Sequence, residues 1–157
     1  MEALLPPSDD PLLARALDAG AEAWRRGRLV AAWALLGQAL VRAEARGDKA
    51  GLLSAHQLLG HVAYDAGDLD AAQAHHEMVL SQSQALGLPL GEASSLHNLG
   101  LIAAAQGDEA HARRLISAAA ARYRAIGHAA GAEAARANLA RLAEQWARQA
   151  GGADEHG

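Results

Sequence analysis

Apolar residues recur every three to four positions along most of the chain, which is the spacing of one face of an α-helix. Two clear stretches are 53–66 and 69–86, and Gly67 and Asp68 form a turn signal between them. Asp68 is placed to cap the second helix, and Gly87 is suited to the left-handed conformation that ends one. The pattern therefore predicts amphipathic helices that are joined in pairs by short turns.

Glycine marks a repeat with a period of 40 residues. Twelve of the 16 glycines fall into four columns of three, namely Gly20, Gly60 and Gly100; Gly27, Gly67 and Gly107; Gly47, Gly87 and Gly127; and Gly51, Gly91 and Gly131. Another column of small residues is formed by Ala32, Ala72 and Ala112. Self-similarity at a fixed period is the signature of a repeat architecture. Because glycine inside a helix costs about 1 kcal/mol relative to alanine, Gly60 predicts a close approach between two helices.

The period divides the chain into three helix pairs and one last helix, at about 11–50, 51–90, 91–130 and 131–149. We expect the last helix to cap the array, because the terminal unit of a repeat array needs a polar outer face. Asp10 and Pro11 are expected to begin the first helix, as its N-cap and its first helical residue. Flexible segments are expected on either side of this 11–149 domain, at 1–10 and 150–157.

Composition predicts the fold class. Apolar residues make up 51% of the chain, but only 3% of residues are aromatic and none is Phe, so the core must be built from Ala and Leu. Alanine is the best helix former and a poor strand residue. An all-α fold is therefore predicted. The absence of Cys excludes a disulfide framework, a thiolate metal site and a cysteine nucleophile.

Several classes of function lack support in the sequence. No apolar run approaches the roughly 18 residues of a membrane span, and the first residues lack the features of a secretory signal, so we expect a cytoplasmic protein. A net charge of −4 gives no general footprint for nucleic acid. Phosphate-loop, dinucleotide-binding and serine-hydrolase motifs are absent, as is a strong metal-binding motif. We therefore expect no enzyme activity, no cofactor and no metal site.

The second and third helix pairs share a Leu-Gly dipeptide, a glycine seven residues later and an alanine five residues after that: Leu59-Gly60, Gly67 and Ala72, then Leu99-Gly100, Gly107 and Ala112. This spacing resembles the signature of the tetratricopeptide repeat (TPR) family, and the resemblance covers residues 11–148. It implies a right-handed superhelical stack of three helix-turn-helix repeats with a capping helix, whose first helices line a concave groove. The period of 40 rather than about 34 residues is similar to that of longer-period members common in bacterial regulatory proteins.

In that family the concave groove commonly binds an extended peptide or a partner helix. The groove positions that the resemblance implies here are Trp24, Arg25, Gln57, His61, Tyr64, His97, Asn98, Leu101, Asn138 and Arg141. Gln57, His61 and Tyr64 follow each other at i, i+4 and i+7, so they share one helix face. Amide and imidazole groups can hydrogen-bond a peptide backbone, and Trp24 and Tyr64 can anchor side chains of a ligand.

The resemblance thus implies a non-catalytic module that binds a protein or a peptide, without a nucleic acid or membrane partner. Two alternatives stay open. The polar face could be solvated and inert, or the chain could be a structural scaffold that self-assembles into a homo-oligomer through the ends of its repeat array. The carboxylate clamp of co-chaperones in this family is not expected, because only Asn98 matches it and no cation occupies the clamp positions.

Histidine and charge are unevenly distributed along the sequence. Six of the eight histidines lie between residues 50 and 112, a segment with seven acidic residues and no Lys or Arg, whereas residues 113–148 hold seven Arg and two Glu. By the resemblance, His56 and His76 occupy positions that pack against each other. A neutral, hydrogen-bonded pair inside the core is therefore expected, and a pH-sensitive or metal-binding pair is the alternative.

Overall fold

The computed structural model describes residue 5 and residues 8–154 of the chain, and the secondary structure in this part is entirely α-helical. Its seven helices are α1 (Pro11–Arg25), α2 (Leu29–Arg46), α3 (Lys49–Asp65), α4 (Leu69–Leu86), α5 (Pro89–Ala105), α6 (Glu109–Ala125) and α7 (Ala129–Asp154). The all-α prediction is confirmed for the described residues. No helix among them is long and apolar enough to cross a membrane.

The helices form two compact units. The first unit contains α1 to α4 and ends at Leu88, and the second contains α5 to α7 and begins at Pro89. Within the first unit, α2 packs on both α1 and α3, and α3 packs on α4. Within the second unit, α6 packs on both α5 and α7. Helices that follow each other along the chain are thus neighbours in space, as the short turns between them require.

The turns use the chemistry that the sequence predicts. Six glycines adopt positive φ angles in them, namely Gly27, Gly47, Gly67, Gly87, Gly107 and Gly127. Asp68 follows such a glycine, and its carboxylate accepts a hydrogen bond from the Ala71 amide at 3.0 Å. Asp108 caps α6 in the same way. The helix that ends at Leu86 has Gly87 as its left-handed C-cap, as predicted.

The buried glycines allow paired helices to approach closely. A Cβ atom added to Gly60 would lie 2.6 Å from Nε2 of His76, and one added to Gly20 would lie 2.5 Å from the Leu36 side chain. Gly100 bears the same relation to Ile116, at 2.5 Å. The close approach predicted at Gly60 is therefore confirmed. The same contact occurs in three helix pairs, 40 residues apart each time.

Each unit has its own core, in which small residues predominate. In the first unit, Ala32 and Leu36 of α2 pack with Leu59 and Val62 of α3. In the second, the core is formed by Ala93, Ile116, Ala119, Ala120, Tyr123, Ala132, Ala135 and Leu142. Alanine contributes little apolar area, so these helices gain contact by lying close together rather than by interlocking large side chains.

The structure differs from the prediction mainly at the ends of helices. The last helix begins at Ala129 and continues to Asp154, five residues beyond the predicted end at residue 149, because a glycine in an exposed helix lowers stability without forcing the helix to stop. The N-terminal boundary is as predicted, since Asp10 caps α1 and Pro11 is its first residue. Residues 1–4, 6, 7 and 155–157, where flexibility is expected, lie outside the described residues.

Replacing Gly60 with alanine should lower the free energy of unfolding by about 1–3 kcal/mol, because the new methyl group would collide with the buried His76 ring. Gly37 is the matched control. It lies inside α2, and a Cβ atom there meets nothing within 4 Å. Gly37→Ala should therefore raise the free energy of unfolding by about 0.5–1 kcal/mol. Urea denaturation in dilute solution measures both, and a Gly60→Ala protein as stable as the parent would contradict the close-packing argument.

A second prediction concerns the start of α2, where Arg28 stands in the position that Asp68 and Asp108 occupy in the other pairs. Arg28 makes no side-chain cap, although its backbone angles (φ −84°, ψ 67°) resemble those of Asp68 (φ −84°, ψ 79°). Arg28→Asp should therefore add a cap and raise the free energy of unfolding by about 1 kcal/mol. Arg28→Ala, which removes the charge without adding a cap, should not produce this gain in the same thermal or urea titration.

Candidate functional site

A cleft of about 390 Å³ lies in the first unit, where Trp24 of α1 faces one side of α3. Its lining consists of Trp24, Ser54, Gln57, Leu58 and His61. Three of these residues, Trp24, Gln57 and His61, are among the groove positions expected from the sequence. The structure therefore brings them together around one cleft.

Two contacts hold the Trp24 indole in place. Its ring stacks on the imidazole of His61, with the ring centroids 5.1 Å apart and the planes 10° from parallel. Its Nε1 donates a hydrogen bond to Oδ2 of Asp65 at 2.6 Å. An indole held in this way keeps its orientation without a ligand, which reduces the entropy lost when a side chain packs against it.

Polar groups on the cleft wall are available to a ligand. Among the described residues, neither the amide of Gln57 nor the hydroxyl of Ser54 has a hydrogen-bond partner, and Ser54 is exposed. An amide side chain offers both donors and an acceptor, so it can pair with the N–H and C=O of a peptide backbone. The cleft thus combines a fixed aromatic ring with unpaired hydrogen-bonding groups.

Two other expected positions in this unit lie away from the cleft lining. Tyr64 is exposed and lies nearly one helical turn beyond His61. Arg25 is also exposed, and its guanidinium forms an ion pair with Glu22 at 2.9 Å. Arg25 is therefore occupied locally, whereas Tyr64 can contact only a ligand that extends beyond the cleft.

In the second unit, three expected positions form a chain of hydrogen bonds. The amide nitrogen of Asn138 donates to Nε2 of His97 at 2.9 Å, which places the proton of a neutral His97 on Nδ1. The guanidinium of Arg141 donates to the amide oxygen of Asn138 at 3.2 Å. Burial lowers the pKa of His97 below its usual value, in keeping with a neutral ring.

The remaining two expected positions in the second unit contribute less surface. Leu101 packs against the hydrophobic core of that unit, so its side chain serves mainly the fold. Asn98 is half-buried on the same helix. The functional expectation for Leu101 rested on its position in the repeat, which does not reveal how far a side chain leans toward the core.

Four histidines cluster in the first unit, in an arrangement that differs from the predicted one. Nδ1 of His56 lies 2.9 Å from Nδ1 of His75, so the hydrogen-bond partner of His56 is not His76. The His76 ring instead meets His61 edge-on, with centroids 5.1 Å apart. Consecutive residues on a helix point about 100° apart, and the space above Gly60 accepts only the second of the two adjacent histidines.

Burial keeps the histidines of this cluster neutral. It lowers the pKa of His76 to about 3, assisted by the neighbouring His61 and His75. It also lowers the pKa of His56, His61 and His75 below their usual range. His76 is only 1% exposed, and its Nδ1 has no hydrogen-bond partner among the described residues. In the described part of the chain, no three His, Asp or Glu side chains are grouped so that they could hold a metal ion.

Sequence reasoning missed the pairing of Trp24 with Asp65, although a signal for it exists. These two residues are 41 positions apart, as are His97 and Asn138. Both pairs join the first helix of one helix pair to the first helix of the next. A separation of one period plus one residue therefore predicts contacts between these helices.

No known protein family matches this sequence, and no curated protein is similar enough to match it.

The free energy of unfolding should fall as the pH drops from 6.5 towards 5. The unfolded chain takes up a proton at His76 near pH 6.5, whereas the folded chain resists protonation down to about pH 3. This residue alone contributes a slope of up to about 1.4 kcal/mol per pH unit in that interval.

His76→Leu is the matched variant, because Leu36 fills the same place above Gly20 in the first pair. Urea titrations at several pH values should show a shallower pH dependence for this variant than for the parent. Equal slopes for the two proteins would contradict the neutral, buried state of His76.

Proposed function

We propose that this chain is a TPR-type repeat protein that binds an extended peptide, without catalysing a reaction, through the cleft formed by Trp24, Gln57 and His61. In this proposal the helix pairs stack as a right-handed superhelix, and α7 caps the array. The recurrence of one glycine contact in three helix pairs, 40 residues apart, supports the repeat assignment.

The observation that carries the binding proposal is the stacked Trp24 ring beside unpaired polar groups. Peptide-binding surfaces combine an aromatic anchor with hydrogen bonds to the ligand backbone. Here the indole is fixed by His61 and Asp65, and Gln57 lies in the same cleft with a free amide. A ligand side chain would pack against the indole while its backbone pairs with Gln57.

Charge favours a neutral or basic peptide over an acidic one. Asp65 is exposed next to the cleft, and residues 50–88 contain four acidic residues and no Lys or Arg. The histidine in the lining, His61, is neutral at pH 7 because burial lowers its pKa. An acidic peptide would therefore meet no opposite charge from these residues and would be repelled by Asp65.

The hydrogen-bonded chain of the second unit offers a second polar surface. His97, Asn138 and Arg141 are joined by hydrogen bonds, so their side chains are ordered before a ligand arrives. Arg141 keeps further N–H groups for an acceptor such as a peptide carbonyl. This surface would add contacts for the same class of ligand.

The test begins with selection of peptides from a random display library against the whole chain. Each selected peptide is then titrated by isothermal calorimetry into the parent protein and its variants. Gln57→Ala and His61→Ala should each weaken binding at least about tenfold, since each removes a wall of the cleft. Gln84→Ala is the matched control, because Gln84 is exposed on α4 outside the cleft, and binding should be unchanged. Unchanged affinity in both cleft variants would reject this site.

A further inference from the structure

Exposed large apolar side chains are concentrated on the first helix pair. Six such residues are exposed in the described part of the chain, and four of them belong to α1 and α2: Leu12 (56% exposed), Val30 (88%), Trp33 (42%) and Val41 (65%). None of these four lines the cleft except through its neighbours on other faces of the pair. Apolar side chains grouped in water mark an interaction surface more often than scattered ones do.

Val30 and Val41 belong to one continuous face of α2. The face is formed by Val30, Ala34, Gly37, Val41 and Ala45, which follow each other at intervals of four, three, four and four residues. This spacing keeps all five on one side of the helix. We call it the α2 apolar face. It carries no charged residue, and all its members except the half-buried Gly37 are exposed.

The other helix pairs show that the fold does not require an apolar face here. The same five positions of α4 are exposed and hold Asp70, Ala74, Glu77, Ser81 and Ala85. Those of α6 are exposed too and hold Ala110, Arg114, Ser117, Ala121 and Ala125. Polar and charged residues are thus tolerated at these positions, and apolar ones fill the whole face only on α2.

Gly37 has no role inside the folded chain that its neighbours reveal. A Cβ atom there would meet nothing within 4 Å, in contrast to Gly20, whose Cβ would collide with Leu36. Gly37 is also outside the 40-residue glycine columns, since Glu77 and Ser117 take its place in the other pairs. Glycine weakens a helix and allows close approach of another backbone, so a molecule packing from outside accounts for it.

We propose that the α2 apolar face binds the same face of a second copy of this chain, with the two α2 helices antiparallel. The face reads nearly the same in both directions, with a valine towards each end and the two smallest residues between them. An antiparallel pair places Val30 against Val41 of the second copy, and Ala34 against Gly37 of the second copy. A self-complementary surface of this kind is what a two-fold interface requires.

The residues beside this face suit such a contact. Leu12 and Ala16 of α1 line a groove of about 740 Å³ together with Gly37, Val41 and Ala45. The exposed Leu12 side chain therefore extends the apolar surface towards the second copy.

The arginines of this groove are already paired within one chain. Arg42 and Arg46 lie 2.5 Å and 3.1 Å from Oδ2 of Asp10, so their charges are compensated locally. Repulsion between the arginines of two copies is reduced accordingly.

The size of the contact predicts a dimer that depends on concentration. With 18 residues, α2 is about 27 Å long, so one helix pair with the flanking Leu12 side chains lies near the lower limit of stable interfaces, about 1,000 Å². We expect dissociation in the micromolar range rather than an obligate dimer.

Sedimentation equilibrium over a wide concentration range should show dimers of the parent chain at high concentration. Val30→Asp and Val41→Ser copy the residues of α4 at the same positions, so both should fold normally and remain monomeric. Met78→Asp is the control, because Met78 is an exposed apolar residue of α4, and this variant should still dimerise. Circular dichroism and thermal unfolding of each variant establish that the fold is intact.

Cross-linking tests the antiparallel arrangement directly, because the chain has no Cys of its own. The proposed register brings Ala34 of both copies within about 4.5 Å along the helix axis, close enough for a disulfide. Ala34→Cys should therefore form a covalent dimer under mild oxidation, and Ala74→Cys, at the same position of α4, should not.

Three results would overturn the proposal. The first is a parent chain that stays monomeric at every concentration, including one whose α2 apolar face captures a different protein. The second is a dimer that persists in Val30→Asp, which would assign the contact to another surface such as the ends of the repeat array. The third is equal cross-linking through Ala34→Cys and Ala74→Cys.

Discussion

The fold depends on one steric condition, which is that the first helix of a pair has no side chain where the second helix inserts one. Gly60 and His76 meet in this way, and so do Gly20 and Leu36. A single added methyl group would collide with the inserted residue at either place, so the glycine fixes how far along their axes the two helices overlap. Because the condition recurs every 40 residues, it sets the register of a helix pair from within that pair. Small core residues such as Ala32 then follow, since larger ones would force the helices apart.

The same condition explains how a histidine reaches a fully buried position. The space above the glycine receives Leu36, His76 or Ile116 in the three pairs, and all three side chains are buried. Leucine and isoleucine fill it without cost to polar atoms, whereas His76 brings a nitrogen that finds no partner among the described residues. Unsatisfied buried polar groups lower stability. The middle pair therefore gives up some stability at His76, and His61, which contacts this ring, also forms part of the cleft.

How much the sequence could predict follows from what the period controls. Helix 69–86 and its turns were predictable, because glycine and aspartate fix local backbone geometry regardless of packing. The pairing of His56 with His75 rather than His76 was not, since the rotation of a helix about its axis is decided by the neighbours it packs against. The cleft shows the same division. Position in the repeat was enough to select Trp24 as a site residue, but not to show that Leu101 leans into the core.

The start of the chain is tied to its first helix pair through one buried carboxylate. Asp10 caps α1, accepts hydrogen bonds from Arg42, and is 3% exposed. These bonds, the Arg42 bond foremost, hold the pKa of Asp10 at about 2. Any shortened version of the protein that begins at Pro11 would leave Arg42 and Arg46 without their shared counter-charge and α1 without a cap. Truncation and tag removal should therefore stop before Asp10, and proteolysis that cuts just after it would loosen the edge of the α2 apolar face.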